Sequence, residues 1–165
     1  MKKRMILWAA MLLVLLTAFT ACRSGGEEET EKYQLYFPVS RDISYGAALD
    51  TQPWEGEGEP TPEQLMEALL DGPTREGMRS PFPGAVTILS LELEEGEKLM
   101  RISLSEQYGG LTDMAQTLAD ACIVMTACQF PDVERVEISS EGFWATRPAS
   151  RTLSPSELEL DSLLP

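Results

Sequence analysis

The spacing of apolar and polar residues divides the chain into a leader, a linker and a folded part. Three basic residues precede an apolar run over residues 5–16, and small or polar residues then lead to Cys22. This order is typical of a secretory signal peptide. We therefore predict a signal peptide over residues 1–21, cleaved after Ala21. The apolar run is shorter than the ~20 residues that cross a bilayer comfortably, which disfavours an uncleaved membrane helix.

Residues 23–32 have almost nothing to bury, being rich in glycine, serine and glutamate. Such a composition predicts a flexible, charge-extended tether over residues 22–32. Strand-forming residues follow over 33–37 and are stopped by Pro38, and residues 47–54 are compatible with a second strand or an edge. The glycine and glutamate residues over 55–60 indicate a loop.

The first helix is marked at both ends. Thr61 is suited to the N-cap, Pro62 to the first helical position, and Gln64 completes a capping box. Gly72 predicts a left-handed C-cap, and Pro73 prevents continuation. The apolar face that this helix would bury consists of Leu65, Met66, Leu69 and Leu70.

A hairpin and a second helix are predicted next. Alternation of apolar with mostly polar residues predicts two strands with one buried face, joined by a turn at Glu95 and Gly96. Their predicted inward residues are Leu89, Leu91, Leu93, Met100, Ile102 and Leu104. Residues 112–129 predict a helix that is apolar over a wide arc, and therefore buried on more than one side.

The remaining elements are shorter. Residues 133–138 predict a strand with Val136 and Ile138 inward, and Phe143 and Trp144 predict the start of a short final strand. A capping box at residues 154–157 precedes a weak helix ending near Leu164.

The element order is therefore β-α-β-β-α-β, which predicts the α+β class. Two main helices packed on one face of a mostly antiparallel sheet would bury both apolar sets together. We expect one domain over residues 33–145 and a C-terminal tail over residues 146–165.

Charge narrows the choice of partners. The chain has 13 basic and 27 acidic residues, a formal net charge of −14. Because the leader holds three of the basic residues and no acidic one, its removal gives −17. Such a surface repels nucleic acid and anionic headgroups, so we expect no nucleic-acid partner. The chain has no histidine, the commonest general base and metal ligand.

Cys22 closes the segment Phe19-Thr20-Ala21-Cys22, which resembles the bacterial lipobox. In that motif the cysteine is diacylated and becomes the new N-terminus, and two acyl chains give stable attachment. We therefore predict lipidation of Cys22 and a diacylglyceryl anchor on the extracytoplasmic face of the cell membrane. The alternative is a plain signal peptide with Cys22 an ordinary thiol. Cys122 and Cys128 are six apart in one predicted helix, too far for a disulfide, and are interpreted as small buried residues.

Several segments in order resemble the GerMN domain. They are Leu69-Leu70-Asp71-Gly72-Pro73, Ser80-Pro81-Phe82-Pro83, Ile88-Leu89-Ser90-Leu91, Ile102-Ser103-Leu104-Ser105, Ile123-Val124-Met125-Thr126, Gln129-Phe130-Pro131 and Val133-Glu134-Arg135-Val136. The resemblance implies a fold similar to the ring-building modules of envelope-spanning secretion and sporulation complexes. It also implies a lipoprotein of sporulation or spore germination, with an envelope or sporulation-complex protein as partner. This chain has room for one such domain, and its tail from Trp144 departs from the family's usual ending.

Catalytic chemistry finds little support in the sequence. Ser80, Ser103 and Ser105 have no histidine or nearby lysine to act as a base. Glu92 and Glu94 are interpreted as part of a solvated strand face, because glycosidase carboxylates are buried at a fixed separation. The glutamate clusters lack the spacing of a calcium loop. We therefore expect no catalytic residue, no metal and no cofactor.

Aromatic residues offer a better candidate surface. Trp54, Phe82, Phe143 and Trp144 lie in predicted loops or edges, and exposed aromatics mark interaction sites. The alternative is that each folds back over the core. The function expected is a non-catalytic scaffold or accessory factor in sporulation or germination. The alternative is an envelope lipoprotein that binds a small ligand or cell-wall fragment, or modulates an envelope sensor.

Overall fold

The computed structural model describes residues 33–40, 48–142 and 150–158. These ranges include two short 3-10 turns, at Glu95–Glu97 and Pro155–Glu157. No helix of the described ranges has the length and apolarity needed to cross a membrane. The α+β class is confirmed. The strands and helices, in chain order, are β1 (Gln34–Pro38), β2 (Leu49–Pro53), α1 (Pro62–Asp71), β3 (Ile88–Glu94), β4 (Leu99–Leu104), α2 (Glu106–Gly109), α3 (Asp113–Ala127), β5 (Arg135–Ser140) and β6 (Ser150–Leu153).

The strands form two sheets rather than the single sheet expected. β1 and β2 make an antiparallel pair, and the larger sheet has the order β3-β4-β5-β6. Its outer pairs are antiparallel, whereas β4 and β5 are parallel. The parallel pair follows from the connection, because α2 and α3 carry the chain back to the end of the sheet where β4 began.

Helix α3 lies at the centre of the core and packs against β1, α1 and β5. Nine of its residues are buried, which confirms the predicted burial on more than one side. Phe37 and Leu49 are fully buried with it. β4 and β5 contribute Met100, Ile102, Leu104, Val136 and Ile138 to the same core.

The sequence signals at the two ends of α1 predicted its position correctly. The Thr61 hydroxyl accepts from the Gln64 amide at 3.2 Å, and the Gln64 side chain accepts from the Thr61 amide at 2.9 Å, which completes the capping box. Gly72 has φ +94° and ψ 176°, so its φ is positive but it does not adopt the left-handed helical conformation that we predicted. Glycine is required there because that backbone region is essentially closed to other residues.

The predicted burial of β3 is wrong. Leu89 is 45% exposed and Leu93 41% exposed. β3 is an edge strand of the larger sheet, and its register with β4 shifts between Ile88 and Ser90. The bulge and the edge position leave side chains open that regular alternation would have buried.

The domain extends beyond the predicted boundary at residue 145. β6 pairs with β5 and completes the larger sheet, so part of the expected tail belongs to the fold. The capping box of Ser154 and Glu157 is confirmed, although it opens a 3-10 turn. The final strand predicted at Phe143 and Trp144 and the end of the predicted helix near Leu164 lie outside the described residues.

Candidate functional site

The register of the larger sheet separates an apolar face from a polar one. Rows of paired residues cross all four strands, and neighbouring rows point to opposite faces. The rows on the core side are Leu93-Met100-Val136-Leu153 and Leu91-Ile102-Ile138-Arg151. The rows on the opposite side, here called the outer face, are Glu92-Arg101-Glu137-Thr152 and Ser90-Ser103-Ser139-Ser150.

Two basic residues on and beside the outer face, Arg101 and Lys98, form ion pairs. Arg101 Nε donates to Glu137 Oε2 at 2.9 Å, and its Nη1 contacts Glu94. Hydrogen bonding to Glu137, with the charge of Glu94, raises the pKa of Arg101. Lys98 pairs with Glu134, whose hydrogen bond and charge raise the pKa of Lys98. Arg101 and Lys98 are therefore already paired with carboxylates, whereas Arg135 donates to the backbone carbonyl of Glu97 at 3.3 Å.

The edge strand β3 and the 3-10 turn that follows it combine exposed acidic residues with exposed apolar side chains. Among the described residues neither Glu92 nor Glu95 forms an ion pair, and both are exposed. Leu89 and Leu93 on the same strand are two of three large hydrophobic residues that are exposed in the described ranges, the third being Met114 on α3. Apolar and acidic groups thus lie together on an edge whose backbone is paired on one side.

A buried polar cluster joins β6 to α3, and sequence reasoning missed it. Asp120 is 6% exposed, and its Oδ1 accepts from the Tyr108 hydroxyl and, at 2.6 Å, from Arg151 Nη2. Burial, and then the charge of Asp120, raise the pKa of Tyr108 well above its ordinary value. These two hydrogen bonds tie β6 to the central helix, while the buried Nε of Arg151 has no hydrogen-bond partner among the described residues. The available signal was a carboxylate within the apolar arc of a predicted helix.

The aromatic residues predicted to form an interaction surface differ in burial. Phe82 is 8% exposed and its ring lies 6.3 Å from that of Tyr108, so this ring is a core residue rather than an exposed one. The Ser80 hydroxyl accepts from the Phe82 amide at 3.2 Å, a local turn that directs the ring inward. Trp54 is half-buried and covers Gly56, where an added Cβ would lie 2.0 Å from its ring.

The other residues that we singled out for a site are outside the described ranges. They are Ala21, Cys22, Phe143 and Trp144. Their predicted roles in signal cleavage, lipidation and interaction stay predictions.

The thiols and serines are occupied by packing and turns. Cys122 and Cys128 are both free, and burial raises the pKa of each thiol, that of Cys128 to about 11. They are therefore neutral near pH 7 and poor nucleophiles. The Ser105 hydroxyl accepts from the Thr87 amide at 3.0 Å. The described residues hold no group of three or more His, Cys, Asp or Glu side chains placed to bind a metal ion.

One open depression is lined by Val39, Ser40, Asp50, Glu76 and Gly77. The Asp50 carboxylate accepts from the Thr51 amide at 2.8 Å. Its lining is mixed, whereas ligand sites are concave and mostly apolar, with a few convergent polar groups. The depression therefore gives no argument for a ligand.

Together these features define a small α+β domain with a buried central helix, a buried polar cluster on that helix and an acidic, partly apolar sheet edge. The family model described as "Germane: Sporulation and spore germination" matches residues 34–145, more than half of the chain. The chain belongs to this family, which confirms the resemblance found in the sequence. A search of curated proteins found no match.

Two solved structures have a similar fold. The first GerMN domain of the sporulation protein GerM from Bacillus subtilis is 18% identical, with a TM-score of 0.58 over 75% of this chain and 97% of that one. The tandem GerMN domains of the same protein are 19% identical, with a TM-score of 0.53 over 67% of this chain and 39% of that one. At such identities the likeness concerns the fold alone.

Proposed function

We propose that this chain is a lipid-anchored, non-catalytic interaction domain, acting as a scaffold or accessory factor in sporulation or spore germination. The observation that carries the proposal is the edge strand β3, which exposes Leu89 and Leu93 in a domain of this family. Apolar side chains beside an unpaired strand edge are typical of surfaces that receive another protein.

The absence of catalysis is part of this proposal and is supported by how the described polar groups are used. Asp120, the most buried carboxylate described, is committed to Tyr108 and Arg151. Ser80 and Ser105 accept backbone hydrogen bonds, and both thiols are held neutral. An activated nucleophile needs an adjacent base or a lowered pKa. No hydrogen bond among the described residues joins either serine to a base, and the pKa values of the two thiols are raised.

The anchor is proposed from the sequence around Cys22. A basic start, a short apolar run and small residues before a cysteine support cleavage after Ala21 and diacylation of the thiol. The glutamates of the tether would then hold the domain away from the anionic membrane surface, on the extracytoplasmic face.

The anchor is tested by fractionating cells of a spore-forming bacterium that express the full chain, Cys22→Ser, or the matched control Cys128→Ser. We expect the wild type and Cys128→Ser in the membrane fraction, with a diacylglyceryl thioether by mass spectrometry, and Cys22→Ser without either. An unmodified Cys22 on a protein found in the medium would overturn the anchor.

The role is tested by photo-crosslinking in sporulating cells from position 93 on β3 and, as control, from position 152 on β6. One stoichiometric envelope partner captured from position 93 alone supports docking. Capture of no protein, together with a rise in melting temperature on adding cell-wall fragments, would favour the ligand-binding alternative and overturn the scaffold role.

A further inference from the structure

We propose that β3 receives an extended segment of a partner protein as an added strand, and that basic and apolar residues alternate in this segment. The inference rests on the proposed function and deepens it by assigning the docking edge and the chemistry of its occupant.

The edge itself is suited to strand addition. β3 is the longest described strand, with seven residues, and β4 is its one pairing partner in the larger sheet. The outward amides and carbonyls of an edge strand are free to continue the ladder with another chain. The opposite edge, β6, has four residues and is held to α3 through Arg151.

The side chains of β3 define what an added strand would contain. Its residues on the outer face would neighbour Glu92 and Ser90, and those on the other face would neighbour Leu91 and Leu93. Glu92 and Glu95 lack ion pairs among the described residues, whereas Arg101 and Lys98 are already paired. Basic residues on one face and apolar residues on the other therefore complement this edge.

A second copy of this chain is the competing occupant. Antiparallel pairing of two β3 strands about Leu91 would place Leu89 opposite Leu93, which is a compatible register. However, each copy carries a formal net charge of −14, and such pairing would bring the acidic edges together. Self-repulsion of that size opposes the homodimer and favours a cationic partner.

The test measures binding of a labelled seven-residue peptide alternating lysine and valine to the full chain in neutral detergent, by fluorescence anisotropy. Glu92→Gln is compared with Thr152→Lys, because the two positions end the same cross-strand row and each substitution raises the net charge by one unit. We expect roughly two- to fivefold weaker binding for Glu92→Gln and a smaller change for Thr152→Lys. Added salt should weaken binding to the wild type.

The apolar contribution has its own matched pair. Leu93→Gln should weaken peptide binding, whereas Met114→Gln, at an exposed position on α3, should not. A peptide with a central proline should bind worse, because proline removes a ladder donor. Circular dichroism of each variant checks that the fold is retained.

Two results would overturn the inference. If the proline peptide binds equally well, or Thr152→Lys weakens binding as much as Glu92→Gln, the chain attracts cations without strand addition. If light scattering shows a dimer that Leu93→Gln abolishes, a second copy occupies the edge. The assay involves neither lipidation nor sporulation, so its failure leaves the anchor and the scaffold role standing. Failure of the scaffold role is seen separately, as the absence of a partner crosslinked from position 93, and it would remove the protein partner that this inference requires.

Discussion

Gly72 shows how much one backbone conformation can determine. With φ +94° and ψ 176° it occupies a region essentially restricted to glycine, while an added Cβ would find Ser80 no closer than 3.6 Å. Gly72→Ala should therefore lower the free energy of unfolding by about 1–3 kcal/mol through backbone strain rather than collision. Urea denaturation measures this change.

Gly96 supplies the matched control for that substitution. An added Cβ there meets nothing within 4 Å, and its φ is not positive. Gly96→Ala should be neutral or slightly stabilising. Equal destabilisation by the two alanines would contradict the conformational explanation.

The buried thiol of Cys122 predicts a loss of stability in alkali. The folded state raises its pKa above the ordinary 9.0, so above pH 9 the unfolded chain releases a proton that the native chain keeps. The contribution is complete below pH 9 and is lost as the pH rises, by about 1.4 kcal/mol per pH unit for each such group. Cys122→Ala should flatten the fall in unfolding free energy above pH 9.

Cys128→Ala serves as the comparison, measured by denaturation at a series of pH values. Because the native pKa of Cys128 is about 11, its removal should flatten the curve only up to that pH. If Cys122→Ala leaves the slope of unfolding free energy against pH unchanged, this thiol ionises as readily in the native state as in the unfolded one.

Residue-level predictions from the sequence succeeded where the partners are close in the chain. The capping box of Thr61 and Gln64 spans three residues, so its hydrogen bonds can be inferred without the fold. The burial of Phe82 depends on Tyr108, which is far along the chain, and the exposure of Leu89 depends on a bulge. Neither the burial of Phe82 nor the exposure of Leu89 can be inferred from the residues next to it in the sequence.

At the level of elements, the tie between α3 and β6 predicts a marked loss of stability. Asp120→Ala leaves the Tyr108 hydroxyl and the Arg151 guanidinium without their shared acceptor oxygen. Because unsatisfied buried donors are costly, we expect about 2–4 kcal/mol of destabilisation, measured by chemical denaturation.

The control removes all three polar groups together. A Tyr108→Phe, Asp120→Leu, Arg151→Met variant removes the hydroxyl, the carboxylate and the guanidinium at once, and it should recover most of that loss because apolar replacement of a buried pair is often neutral. A triple variant as unstable as Asp120→Ala would mean that these residues stabilise the fold by packing alone.

Element types were predicted better than their pairing. The hairpin strands β3 and β4 could be predicted from the alternation of their residues. The buried helix α3 could be predicted from its wide apolar arc. The parallel pairing of β4 with β5 and the division into two sheets depend on tertiary contacts that no periodicity encodes. β6 was missed because its four residues, Ser150–Leu153, are mostly polar, and one of them, Arg151, lies on the core side, where it pairs with Asp120.

For the whole molecule, the excess of acidic residues predicts a dependence on salt. With 27 acidic and 13 basic residues, repulsion in the native state should outweigh the exposed ion pairs. The melting temperature should therefore rise by a few degrees as sodium chloride goes from about 10 mM to about 150 mM, since the screening length shortens about threefold to fourfold. Calorimetry measures the shift.

Glu95→Gln offers a control, as this exposed carboxylate has no ion pair among the described residues. It should raise the melting temperature at low salt and change it less at high salt. A melting temperature that falls with salt would show that attractive pairs such as Lys98 with Glu134 dominate.

The family could be recognised from the sequence because its matched segments follow one another in a fixed order. The exposed edge could not, because β3 was expected to bury the side chains that it presents. The family was therefore recognised from the order of its segments along the chain. The candidate docking surface on β3 was found from the register of the sheet.

The cluster of Asp120, Tyr108 and Arg151 also bears on the timing of folding. Ribosomes make the chain from its amino end, and the cation that neutralises Asp120 comes 31 residues after it. Until β6 has emerged, α3 would place an uncompensated carboxylate beside apolar neighbours, which penalises premature collapse. A nascent chain interrupted before residue 150 lacks the guanidinium that pairs with Asp120 on the central helix. Incomplete products should therefore remain unfolded and be open to proteolysis.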